Sequence, residues 1–274
     1  MAHGFSVFSF KGREKLKTLD VAMTGVSAAL YAIVGILTNL GLVSPVVGVV
    51  KFWPAVIVPA IFAVLFGPWV GGTSAAIGIF ISDMVQPGHG IALLSLTVGV
   101  PSNFVAFYLV GSISRKNMNW QSIIAVLIVG STVLTGMIGY LFIIEALTIE
   151  VIVIFLGVLF VCCAIVVGVG LWKPEWKSYA LASVVGLLAG SAIIGLGLWA
   201  YSQFLPLPLT TGFERNAPLF ASALWLVWTF ATEIPFLVTI VPPVVKICHK
   251  AFPSVASQQK QERLKESVQT DKSF

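Results

Sequence analysis

Two carboxylates in this sequence fall inside long apolar stretches, where a charge is expensive. Asp83 closes the segment LFGPWVGGTSAAIGIFISDMVQPGHG (65–90), and Glu233 lies in WTFATEIPF. On insertion scales a carboxylate at the centre of a membrane helix costs about 2.5–3.5 kcal/mol, and less near the ends. Asp83 sits at a helix end, where it either marks the emergence of the chain beside QPGHG or faces a binding cavity together with His89. Glu233 lies deeper and is followed by Pro235, Pro242 and Pro243, each of which removes a backbone donor. A glutamate at that depth is neutral, paired or lining water; the expectation is a structural or coupling role rather than a ligand contact. Asn103 follows Pro101 within an apolar run. Its amide either satisfies the carbonyl that the proline frees or reads a ligand from inside the bundle.

None of these groups carries the spacing of an enzyme. The sequence has no GxxxxGK, HExxH, GxSxG or CxxC. His3, His89 and His249 lie on different segments. Cys162 and Cys163 are adjacent in an apolar run and Cys248 stands apart, which fits reduced structural thiols and no metal site. No cofactor is expected and nothing points to nucleic acid. A membrane enzyme acting on a lipid or headgroup would need several ionisable groups at one depth, and no such cluster is legible. A structural or sensory membrane protein without a transported ligand stays open as a second alternative.

The elements that position these residues follow from composition. The chain has 274 residues, 58% hydrophobic and 10% charged; soluble domains are about one-quarter charged. It reads as an all-α, polytopic bundle in the cell membrane. Apolar stretches at 21–42, 52–66, 69–84, 92–113, 120–144, 150–171, 179–200 and 218–245 predict about eight spans. The second and third are short, and either span or form a re-entrant pair about the GPWVGG turn. The first is too long for a cleavable signal core and reads as a retained helix. With both termini cytoplasmic, all but two of the 16 basic residues fall inside, the exceptions being Lys51 and Arg215. Residues 1–20, with Phe5, Phe8 and Phe10 among Lys11, Arg13, Lys15 and Lys17, form a basic arm that either lies on anionic lipid or is a disordered tail. Residues 21–247 make the membrane domain and 248–274 a polar cytoplasmic tail. Trp53, Trp69, Trp120, Trp172, Trp176 and Trp199 fall at predicted ends, as interfacial tryptophans do.

On the predicted outer side, Lys51, Trp53, His89, Tyr140, Glu145, Tyr201, Arg215 and Trp225 occupy loops or the turns beneath them. With Asp83 and Asn103 they are the candidate substrate-binding residues, gathered as a pocket under apolar loops such as SPVVGVV. The rings would suit a planar ligand, and Lys51 or Arg215 an anionic group. Small residues recur on helix faces: Ala22, Gly25, Ala28, Ala32 and Gly35 in the first, Gly71, Ala75, Gly78 and Ser82 in the third, and Ala182, Gly186 and Gly190 in the seventh. In lipid, close packing rather than water exclusion joins helices, so these faces serve internal packing or the docking of another membrane protein.

The order of four motifs carries a resemblance. TLDVAMTGVSAALYA, FGPWVGGTSAAIGIFISDMV, VPSNFVAFYLVG and ATEIPFLVTIVPPVVK, over residues 18–115 and 225–247, resemble the first, third, fourth and last helices of the substrate-binding S components of energy-coupling factor (ECF) transporters. The resemblance implies a helical bundle that binds a vitamin or related micronutrient near its outer face. It implies docking on a transmembrane coupling protein through Ala22, Gly25, Ala28, Ala32 and Gly35, a cytoplasmic ATPase pair as energy source, and toppling in the membrane. The family pattern has six helices; the extra pair is expected within 150–200.

Overall fold

A computed structural model describes residues 18–40, 46–47, 50–51, 53–85, 91–208 and 213–253. His89, the basic arm through residue 17 and the tail beyond residue 253 lie outside the described residues, as does the side chain of Lys51. Eight helices account for the described chain: α1 (Thr18–Leu40), α2 (Ile57–Phe66, preceded by the turn Pro54–Val56), α3 (Pro68–Val85), α4 (Ala92–Ser114), α5 (Trp120–Ile143), α6 (Ile149–Trp172), α7 (Lys177–Phe204) and α8 (Leu219–Ala251). They match the eight apolar stretches of the sequence. All except α2 and α3 are long and apolar enough to cross a membrane on their own. Between α1 and α2, Val46–Val47 pairs antiparallel with Val50–Lys51.

Gly67 ends α2 at φ 110°, a left-handed conformation that glycine adopts without a Cβ penalty, and Pro68 opens α3. This turn is packed against Gly111 and the Arg115 guanidinium at the far end of α4. At its other end α3 presents Asp83 to Ser95, near the start of α4. Thus α3 runs beside α4 over its length and crosses the same layer. α3 does not turn back midway.

Glycine decides which helices form the core. In α3, Gly71 is seated on Ala63 of α2 and Gly78 on Ala28 and Tyr31 of α1; in α7, Gly186 and Gly190 meet Ala106 of α4, and Gly195 meets the Ser222 carbonyl of α8. The chain of close contacts runs α1–α3–α4–α7–α8, with α2 tucked against it. The Tyr179 hydroxyl of α7 donates to the Leu237 carbonyl of α8 at 2.8 Å. α5 and α6 lie outside this core, against α7, α8 and each other. Only 22% of the apolar stretch of each is buried in the protein, against 56% in α7 and 61% in α8. Ile128, Val129, Val153, Ile154 and Phe160 are left exposed, as suits a lipid-facing surface. The outer pair is thus 120–172, while α7 carries the glycines that fit it to α4.

The small-residue face of α1 divides. Ala28 and Ala32 are buried, and Gly35 is covered by the Trp53 ring. Ala22 is exposed, and so is Gly25, whose open side meets no atom within 4 Å. Of the five residues expected to form the docking face, Ala28, Ala32 and Gly35 are thus covered within the bundle, and Ala22 and Gly25 are not.

Candidate functional site

A cavity of about 130 Å³ opens inside the core, lined by α1, α3, α4, α7, α8 and Trp53. No residue of α5 or α6 lines it. On a scale where one water takes roughly 10–15 Å³, this holds about ten waters, or a ligand of roughly 300 Å³. That is the lower end of the range for small-molecule sites.

One wall is a polar relay. Trp53 Nε1 donates to Tyr31 Oη at 2.9 Å, and Tyr31 Oη donates to Asn103 Oδ1 at 2.7 Å. Asn103 Nδ2 donates to the Gly99 carbonyl at 3.0 Å. Asn103 thus bonds its own helix backbone at Gly99, which is not the carbonyl that Pro101 frees, and it lies on the cavity wall. The sequence reading missed Tyr31; the only signal was a hydroxyl among the alanines of α1. It also placed Trp53 in the headgroup layer, but its ring is 7% exposed, lies against Gly35 and packs edge-on to Tyr31 at 6.3 Å. Trp69 and Trp172, by contrast, are well exposed at helix ends.

The second polar locus comes from an irregularity in α4. Residues Ser95–Gly99 form a π-helical turn, a widened turn often found at functional sites. It swings Ser95 toward α3, where its hydroxyl donates to Asp83 Oδ2 at 2.6 Å. Asp83 faces the cavity, and Gly99 leaves room for its carboxylate: a Cβ there would come within 3.2 Å of Oδ2. Ser95→Ala removes the hydrogen bond to the Asp83 carboxyl. The expected outcome is a loss of ligand affinity of roughly tenfold, read by equilibrium titration of purified protein.

The last wall belongs to α7 and α8. Ser191, Ile194 and Leu198 of α7 line it, as do Thr229 and Glu233 of α8. Glu233, for which a structural or coupling role was expected, is buried and lies on the cavity wall.

The other candidates divide. Trp225 is fully buried beside the cavity, in a cluster with Val98, Leu198, Leu207, Ala217 and Ala221, against which Tyr201 packs. This cluster seats the α7–α8 connection, which is tied down by Leu207 N donating to the Glu214 carbonyl at 2.7 Å and Asn216 N donating to the Ser202 carbonyl at 2.9 Å. Pro208 of that connection lines the cavity. Arg215 is exposed on the loop, and Tyr140 and Glu145 are exposed at the α5–α6 turn. The structure does not bring these three to the cavity.

Among known proteins, no curated protein and no solved structure matches the chain. A family model described as ECF-type riboflavin transporter, S component, matches residues 15–195. That stretch holds the motifs of α1, α3 and α4 and the glycines that fit α7 to α4. The protein is a multi-pass membrane protein that belongs to the S-component family of ECF-type riboflavin transporters.

Proposed function

We propose that this S component captures riboflavin, or a planar micronutrient closely related to it, in the central cavity. The observation that carries the reading is the cavity wall itself. Tyr31, Trp53 and Phe107 offer flat apolar surface, and Ser95, Asn103 and Ser191 offer polar groups. No lysine or arginine is among the described lining residues. Such a wall suits a neutral ring system with a hydroxylated tail better than an anionic vitamin. Mass spectrometry of small molecules released from the purified protein tests the reading, with fluorescence quenching of added riboflavin as the second measure. Release of an unrelated solute, with no quenching, would refute it.

The charge asymmetry of the sequence supports capture from outside, with both termini in the cytoplasm. The protein then delivers its ligand to a transmembrane coupling protein driven by an ATPase pair, and performs no catalysis itself. Docking uses the exposed part of α1 around Ala22 and Gly25. Gly25→Leu fills open space and leaves folding intact, so riboflavin affinity is expected to stay within about twofold. Uptake by cells expressing the whole transporter is expected to fall sharply, because a bulky side chain keeps two helix backbones apart. Unchanged uptake would remove α1 from the docking interface.

A further inference from the structure

We propose that Glu233 and Ser191 form a recognition subsite for a ligand edge that pairs an N–H donor with a carbonyl acceptor. In a flavin this is the imide edge of the ring. The inference rests on the flavin reading above and deepens it.

It follows from which polar groups on the wall are already committed. Trp53 donates to Tyr31, and Tyr31 to Asn103. Ser95 donates to Asp83. Ser102 donates to the Gly99 carbonyl and Thr229 to the Trp225 carbonyl. Those protons are not available to a ligand. Ser191 is different: it is fully buried, it lies on the wall, and its hydroxyl has no hydrogen-bond partner. A serine inside a helix ordinarily turns its hydroxyl to a carbonyl three or four residues back. Ser183, Ser202 and Ser222 in the same two helices all do so. An unsatisfied buried hydroxyl is costly, and each one in a folded protein calls for a partner.

Glu233 is the complementary group. It is 7% exposed and on the wall, and no hydrogen bond reaches its carboxyl among the described residues. In either protonation state the carboxyl keeps an acceptor oxygen. Gly190 lets α7 approach α4 at Ala106, which sets Ser191 at the cavity, across from α8. One donor and one acceptor, both buried and both without partners, specify a ligand edge with the opposite pair. A site built this way discriminates strongly against an analogue that leaves its groups unpaired.

The test uses the full chain in lipid nanodiscs, titrated with riboflavin and with its N3-methyl analogue, which lacks the ring N–H. Wild type is expected to bind riboflavin more tightly by at least about tenfold. Glu233→Leu should reduce that preference to about twofold, whereas Glu233→Gln, which keeps an acceptor oxygen, should preserve most of it. Ser191→Ala should weaken both flavins by roughly tenfold and leave their ratio unchanged. Equal binding of the two flavins by wild type, or an unaltered ratio in Glu233→Leu, overturns the inference while the flavin reading stands. The wild-type ratio and Ser191→Ala decide the matter if Glu233→Leu fails to fold. If wild type binds no riboflavin, the flavin reading falls, and this inference with it.

Discussion

Gly186→Leu is expected to break the seam between α4 and α7 and to cost about 3 kcal/mol of stability, the upper end for overpacking. A Cβ at Gly186 would lie 2.5 Å from the Ala106 carbonyl oxygen and 2.7 Å from Val110 Cγ2. The carbonyl belongs to a helix backbone and cannot rotate aside. Relief requires α7 to move away from α4. That motion also opens the cavity, because Ser102, Asn103 and Ala106 form one wall and Leu187, Gly190 and Ser191 the next. The expected readout is a fall in melting temperature of roughly 6–12 °C in a detergent thermal-shift assay, with ligand binding lost. Gly136→Leu in α5 is the control. No atom lies within 4 Å of its open side, and α5 sits outside the core. Its melting temperature should stay within about 2 °C of wild type. Equal destabilisation by the two substitutions would show that α4 and α7 are not the structural centre.

Trp53→Ala is expected to lower ligand affinity by about 100-fold, the effect of losing a buried aromatic anchor worth 2 kcal/mol or more. The indole covers Gly35, contacts Tyr31 edge-on and forms part of the cavity wall. Its loss leaves a hole on one side of the cavity and takes the donor from Tyr31 Oη. Tyr31→Phe separates the two effects. It keeps the ring but takes from Trp53 Nε1 and Asn103 Oδ1 the hydroxyl that joins them in the relay. An unsatisfied buried group costs about 1–3 kcal/mol, so Tyr31→Phe should weaken binding by roughly tenfold while the protein still folds. Isothermal titration of both variants checks the order. If Trp53→Ala binds as well as wild type, the ligand does not occupy this cavity.

The resemblance led to the S-component family before any geometry, because the motifs lie in order along the chain. The binding site was legible only in part. Trp53, Asp83 and Asn103 were singled out and do line the cavity, since a tryptophan, a carboxylate and an amide in apolar sequence are conspicuous wherever they fall. Tyr140, Glu145 and Arg215 were equally conspicuous and lie elsewhere. Hydrophobic length measures depth along a helix and carries nothing about azimuth or neighbours.

The sequence by itself determined the eight helices, because apolar length and backbone hydrogen bonding leave a chain in lipid almost no alternative to helix. It also marked Gly186 and Gly190 as packing positions. Only the tertiary structure decided that α5 and α6 are the outer pair, that Ala28, Ala32 and Gly35 are already covered, and that Ser191 and Glu233 share a cavity. Each of these depends on which faces meet. Between helices that are apolar all round, that choice is made by close contact at a few glycines, a three-dimensional fit that linear pattern does not encode.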